Sequence, residues 1–447
     1  MKKIHMKQYI RTLMLAVALA PVFSSCDYLD KEPDDMLTID AVFDNADYTK
    51  QWLAGVYNLV PDPLWEYMTY EGYGYYMMSD ETQMASSLSQ FGWSNLMNVQ
   101  KGSWTPTTIV PGKNLWLETY RKVRAGLIFM ENVKEIPNQR QTAELVERYK
   151  NEVRFLMAYY YSRMLEVYGP FPLVTSLVDV TESGDVLQKA RTPYDEIVDY
   201  LDNEFMELSK VLPSSYDDVN VGRPTSGACL ALRARMLMFA ASPLFNSSEP
   251  YMPGEAADKR LMWFGSYKPE LWTQALAAHK AFFDELNKNG QYGLVYKSDP
   301  RQAFRSGYLD RGTGEAIIAT HYGYTVPDYW TWGWSYYETA GDAGTACGTQ
   351  ELVDMFPMID GLPITESKLY DPKHPYEQRD PRLYETVVVN GDKYYGGIAE
   401  IYVGGKHYQD FEGSYGAFMS GYRPRKFILD GGGGPLFEWP AEISGKV

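Results

Sequence analysis

The chain has 447 residues, with 42 Lys and Arg against 58 Asp and Glu, and a formal net charge of −16. With 45% hydrophobic and 22% charged residues, disordered and fibrous classes are excluded, and the acidic balance excludes nucleic acid as a partner, because phosphate binding needs a surplus of cations. The length suits two or three domains or one large repeat-built domain, and 37 Tyr, 18 Phe and 11 Trp predict aromatic side chains on exposed faces as well as in the core.

The N-terminus carries Lys2, Lys3, Lys7 and Arg11, then an apolar run over residues 13–23, then Ser24-Ser25-Cys26. A basic stub, a short apolar stretch and small residues predict a secretory signal peptide over residues 1–25, too short to span a bilayer. The Cys behind two small residues resembles a lipoprotein lipobox, so Cys26 is the expected lipidation site and first mature residue. Several acyl chains on one residue anchor firmly where one chain would not. No later segment is apolar for long enough to span. With Cys26 modified, Cys229 and Cys347 remain, which is no disulfide framework. Cys229 lies in an apolar helical run and reads as a small core residue; Cys347 has no assigned role.

Helical periodicity then dominates to about residue 290. Leu117, Tyr120, Val123, Leu127, Met130 and Val133 recur at spacings of three or four and predict a helix over residues 115–133. Val153, Leu156, Tyr160, Met164 and Val167 stripe a second over 143–167, ended by Gly169-Pro170. A third starts with Thr192 as N-cap, Pro193 in the first turn and Asp195 behind it, with Ile197, Leu201, Phe205 and Leu208 on its stripe. A fourth, over residues 224–241, is apolar nearly all round and is expected to be buried. A fifth covers about 269–287 and stops at Asn289-Gly290. The first four form two pairs whose starts lie about 30 residues apart, near the period of tetratricopeptide arrays. Beyond 290, Gly, Tyr, Pro and Asp become frequent, and residues 315–320 and 385–389 read as short strands among loops that include 431–434.

Catalytic and metal motifs are missing: the chain has no HExxH, GxxxxGK[ST], GxSxG or CxxC. No cofactor and no metal ligand is assigned. Of five His, His279, His321, His374 and His407 are scattered and read as structural. A carboxylate pair can always be picked from so many acidic residues, so none is named as acid and base.

Aromatic clusters carry the sharper signal. Tyr329, Trp330, Trp332 and Trp334 stand in one run with three Trp at alternate positions, which an extended strand places on one face. Flat aromatic faces beside hydroxyls and amides suit sugar rings, whose C–H faces stack while their hydroxyls hydrogen-bond. A second aromatic and polar region runs from residues 67–76 through Ser79-Asp80-Glu81 to Trp93 and Trp104. The two regions together are expected to form two walls of one groove.

These motifs resemble the SusD/RagB family of glycan-binding outer-membrane lipoproteins of Bacteroidetes. The resemblance rests on Cys26-Asp27-Tyr28-Leu29-Asp30 and on Arg154-Phe155-Leu156-Met157-Ala158-Tyr159-Tyr160-Tyr161 with Tyr168-Gly169-Pro170-Phe171-Pro172. It rests further on Gly222-Arg223-Pro224-Thr225 through Ala240-Ala241-Ser242-Pro243-Leu244-Phe245-Asn246, on Glu351-Leu352-Val353-Asp354-Met355-Phe356 with Asp360-Gly361, and on Arg379-Asp380-Pro381-Arg382-Leu383. It implies a mainly α fold, a tetratricopeptide-like helical-pair scaffold over about residues 40–290 and a loop-rich binding region over about 290–447 with a few short strands. Residues 26–447 are expected to form one SusD-like domain that lacks the family's C-terminal helices. The resemblance also implies an oligosaccharide ligand, a SusC-like TonB-dependent transporter as partner, attachment to the outer membrane at the cell surface through the lipid anchor, and no enzymatic activity. Carbohydrate contacts are expected from Asp80, Trp93, Trp104, Tyr329, Trp330, Trp332 and Trp334, whereas Arg154 and Arg235 are expected to be paired scaffold charges. Two rivals stay open: a helical-barrel glycoside hydrolase or lyase, and a helical-repeat adaptor for peptide or protein.

Overall fold

Local capping chemistry sets the helix boundaries in the computed structural model, which describes residues 37–58, 79–84, 102, 115–179, 181–217, 219–310, 312–318, 346–394, 397–405 and 420–425. The Thr38 hydroxyl caps α1 (Ile39–Phe43), and the Asn45 carboxamide accepts from the amides of Asp47 and Tyr48 to start α2 (Ala46–Tyr57), as short polar side chains do at N-caps. The first long pair is α3 (Leu115–Asn132) and α4 (Ala143–Tyr168). Thr142 caps α4 through the amide of Leu145, and Gly169, at φ 64°, takes the left-handed turn that ends it, a conformation costly for any residue with a Cβ.

After the short helix α5 (Gly184–Leu187), the second long pair is α6 (Tyr194–Val211) and α7 (Ser226–Ala241). A single turn, α8 (Glu255–Asp258), precedes α9 (Glu270–Asn289), which Gly290 closes at φ 61°. Successive partners pack in order: α2 on α3, α3 on α4, α4 on α6, α6 on α7 and α7 on α9. This is the nearest-neighbour stacking of a helical-repeat array, and the fold is mainly α with a tetratricopeptide-like scaffold. One apolar core, drawn from Phe43 to Ala278, runs through it. α4 is its centre: Phe155–Leu165 is buried without a break, and Tyr160, 1% exposed, still finds a partner for its hydroxyl in the Val56 carbonyl.

Two expected details differ. Thr192 does not cap α6; its hydroxyl accepts from the Leu173 amide at 3.1 Å and its own N–H donates to the Phe171 carbonyl at 3.0 Å. The first turn of α6 is served instead by Arg260, whose carbonyl accepts from the Tyr194 amide and whose guanidinium bonds Asp195. The run expected as a strand from residue 315 consists of turns and bends over the described 312–318.

Beyond α10 (Pro300–Leu309), the remaining elements are short. Among the described residues this region has three two-stranded ribbons and two small helices, and Val353, Leu383, Val387, Val389 and Tyr422 form a second core within it. The ribbons pair β1 (Thr82–Met84) with β2 (Ala346–Gly348), β3 (Val387–Val388) with β6 (Arg423–Pro424), and β4 (Lys393–Tyr394) with β5 (Gly397–Ile398), all antiparallel. The helices are α11 (Gln350–Met355) and α12 (Pro381–Thr386). The expected strand at 385–389 is thus the end of α12 followed by β3. α10 is fastened to this region by Arg301, which bonds both carboxylate oxygens of Asp392 at 2.9 Å and Glu385 at 2.5 Å.

The paired scaffold charges fall where expected. Arg154 makes a two-pronged contact with Glu204 at 3.1 Å, and Arg235 meets Glu166 at 3.0 Å. Cys229 is fully buried in α7. His279 is paired with the Ala275 carbonyl and His374 with Asp371, while His321 and His407 lie outside the described residues.

Candidate functional site

The feature that organises the loop-rich side is the β1–β2 ribbon. Its register puts Thr82 opposite Gly348, Gln83 opposite Cys347 and Met84 opposite Ala346. Met84 is where the chain leaves toward Trp93 and Trp104, and Ala346 is where it arrives from Tyr329, Trp330, Trp332 and Trp334. Met84, the last described residue before Trp93, and Ala346, the first described residue after Trp334, are therefore neighbours, although hundreds of residues separate them in sequence.

Thr349 locks the other end. Its N–H donates to the Glu81 carbonyl at 3.0 Å, and its hydroxyl donates to the Asp80 carbonyl while accepting from the Leu352 amide at 3.1 Å. One side chain thus caps α11 and holds the Ser79–Glu81 turn. Gly348 permits the close approach this requires: a Cβ there would meet Val387 Cγ1 at 3.0 Å, and its N–H and carbonyl bond the Tyr422 carbonyl and the Ser420 hydroxyl.

Behind the ribbon runs a chain of hydroxyls and amides. Tyr422 donates to Gln350 Oε1 at 2.7 Å and its oxygen lies 2.8 Å from the Tyr376 hydroxyl; the Gln350 amide reaches Asp354 at 2.8 Å. Burial, reinforced by Tyr376, pushes the Tyr422 hydroxyl far above the usual phenol range, so it acts as a neutral donor and not as a base. Arg379, 2% exposed, donates to the carbonyls of Val353 at 2.5 Å, Phe356 at 2.7 Å and Pro375 at 2.9 Å. It gathers the C-terminal end of α11, and the Arg379-Asp380-Pro381 motif is structural.

Of the residues expected to bind carbohydrate, the structure describes Asp80, exposed in the turn before β1 with its carbonyl on Thr349. Trp93, Trp104, Tyr329, Trp330, Trp332 and Trp334 lie outside the described residues, as does Cys26. Thr349, Gln350, Tyr376 and Tyr422 were not expected from sequence. For Thr349 a signal existed, since a Thr with Leu352 behind it and an apolar run following reads as an N-cap; the two Tyr carried none. No group of three or more His, Cys, Asp or Glu among the described residues is placed to hold a metal ion, and no described helix is long and apolar enough to cross a membrane.

A family profile described as "Starch-binding associating with outer membrane" matches residues 27–238, and one described as "SusD family" matches residues 314–435. Among solved structures, the chain is similar to a SusD-like protein from Bacteroides fragilis, with 19% identity and a TM-score of 0.62 over 89% of this chain and 71% of that one. It is also similar to a SusD-like carbohydrate-binding protein from the same organism, with 17% identity, a TM-score of 0.59 and coverage of 87% and 69%. Surface glycan-binding protein A from Bacteroides thetaiotaomicron aligns with 15% identity, a TM-score of 0.53 and coverage of 86% and 70%. At such identities these likenesses speak for the fold. No curated protein sequence matches the chain.

Proposed function

As the chain belongs to the SusD/RagB family, we propose that it is a surface-exposed, lipid-anchored oligosaccharide-binding protein that captures nutrient and passes it to a TonB-dependent outer-membrane transporter, with no chemistry of its own. Residues 26–447 act as one binding domain, Cys26 bears the lipid, and Asp80, Trp93, Trp104, Tyr329, Trp330, Trp332 and Trp334 supply the sugar contacts. The observation that carries the reading is the β1–β2 register, which joins the ends of the two indole-rich segments at Met84 and Ala346. Two segments held at a common base can present their rings to one ligand, and a helical scaffold with irregular binding loops is a common division of labour. The glycan and carbohydrate-binding names of two solved neighbours support the same ligand class.

Affinity electrophoresis and calorimetry across a glycan panel test the proposal. The expected result is binding to at least one polysaccharide, weakened roughly tenfold or more by Trp330→Ala or Trp332→Ala, as loss of a stacked ring removes about 1–3 kcal/mol. Absence of binding to every glycan by a demonstrably folded protein overturns it, and release of reducing ends from a bound glycan overturns the non-enzymatic part.

A further inference from the structure

The turn before β1 and the first turns of α11 bring four carboxylates to the ribbon. Thr349 holds the two turns together, its N–H on the Glu81 carbonyl at 3.0 Å and its hydroxyl on that of Asp80. Asp80 and Glu81 stand exposed on one side of this joint, and Glu351 and Asp354 stand exposed on the other. Asp354 accepts from the Gln350 amide at 2.8 Å. The nearby cations serve other partners: Arg379 bonds three backbone carbonyls, Arg382 pairs with Asp380, and Arg425 pairs with Glu385 and Asp392.

The sequence continues the pattern on both sides of the ribbon. Residues 79–100 and 319–356 contain no Lys or Arg, in a chain that holds 42 over 447 residues. Their acids beyond the four are Asp328, Glu338 and Asp342. These same segments carry the sugar contacts in the function proposed above, so their one-sided charge bears on what can be bound.

A glycan meets such a rim in one of two ways. An uncharged sugar offers hydroxyls, which donate to carboxylates in charge-assisted hydrogen bonds, while its C–H face remains free to stack on an indole. A polyuronate or sulfated glycan brings negative charges along its whole length and finds in these segments no guanidinium or ammonium to receive them. Like charges are then set side by side, which is how binding surfaces suppress wrong partners. Building on the glycan-binding reading, we infer that the site takes uncharged oligosaccharides and rejects polyanionic ones, with Asp80, Glu81, Glu351 and Asp354 as the rejecting rim.

Calorimetry on the full chain tests this with two sets of probes. Neutral glucans, mannans, xylans and galactans form one set; polygalacturonate, alginate and heparin form the other. Each is measured at about 10 mM and about 300 mM salt, which bracket weak and strong screening. The expected result is binding to at least one neutral glycan, altered less than about twofold by salt, with every polyanion at least about tenfold weaker at low salt. A polyanion bound as tightly as the best neutral glycan overturns the inference and leaves the glycan-binding reading standing. Binding to no glycan by a folded protein overturns both. A variant combining Glu81→Gln, Glu351→Gln and Asp354→Asn removes three of the exposed charges. It is expected to bind polygalacturonate at least about threefold more tightly than the unaltered chain at low salt, and no gain overturns the rim as the cause.

Discussion

The backbone N–H of Thr349 donates to the carbonyl of Glu81 at 3.0 Å, and the Thr349 hydroxyl bonds Asp80 across 269 residues of sequence. The same side chain caps α11. Thr349→Val keeps the shape and removes the hydroxyl, leaving the Leu352 amide and the Asp80 carbonyl without it. The expected loss is about 1–2 kcal/mol of stability, measured by urea denaturation, with Thr349→Ser close to the unaltered protein. Because this bond holds the Ser79–Glu81 turn that carries Asp80, one of the proposed sugar contacts, glycan affinity is expected to fall in the Val variant and recover in the Ser variant.

How much of this was legible depended on range. The stripe and the C-terminal stop of α4 could be read because Val153, Leu156, Tyr160 and Met164 repeat at helical spacing and Gly169-Pro170 is a local signal. The failure at Thr192 shows the limit of such reading. A Thr before Pro looks like a cap, but its hydroxyl has a tertiary partner in the Leu173 amide, and a distant carbonyl from Arg260 takes over. The β1–β2 ribbon was illegible in principle. Its strands are three residues long, too short for an alternation to register, and their partnership is decided by loop closure over most of the chain. The division of the aromatic residues was partly legible: Tyr160 and Phe239 do serve the scaffold core, while the indoles that motivated the binding reading lie outside the described residues.

Two glycines in helices respond oppositely to the same substitution. A Cβ at Gly227, in the first turn of α7, would stand 2.5 Å from Tyr292 Cε2, and the Tyr292 hydroxyl is tied to Thr225 at 2.6 Å. Gly227→Ala therefore displaces a fastened ring and is expected to cost about 1–3 kcal/mol. Gly55, exposed on α2, has nothing within 4 Å of a built Cβ, so Gly55→Ala is expected to stabilise by about 0.5–1 kcal/mol through backbone entropy. Chemical denaturation of the two variants checks both signs, and destabilisation by Gly55→Ala contradicts the packing described for α2.

Arg379 donates through both terminal nitrogens to three backbone carbonyls, those of Val353 and Phe356 at the end of α11 and that of Pro375. Arg379→Met preserves much of the volume but strands three acceptors beside the small core, for an expected loss of about 3–5 kcal/mol. Arg379→Lys keeps the charge on a single point that cannot reach three carbonyls at once, and is expected to fall between. Hydrogen exchange locates the damage: protection should drop in α11 and α12 and stay unchanged in α4. Uniform loss across the chain would show that the loop-rich core and the helical core unfold as one.

Asp380 gives the pH dependence a definite sign. The guanidinium of Arg382 bonds both of its oxygens, at 3.0 and 2.7 Å, and the Arg382 amide donates to it at 2.8 Å. The Arg382 side chain is the chief cause that holds the carboxyl below its ordinary value of 3.8. A carboxyl depressed in the folded state stabilises the fold above its unfolded value, and that contribution is lost as pH falls through the folded one. Stability should therefore decline below about pH 4, with Asp380 among the contributors. Asp380→Asn keeps a capping oxygen for α12 but gives up the ion pair, so it is expected to be less stable than the unaltered chain at pH 7. The gap between the two should narrow as pH falls below the ordinary carboxyl range and through the depressed folded value of Asp380. Denaturant titrations of both proteins across that range measure it, and a gap that stays constant with pH would assign the loss to packing and remove the ion pair from the account.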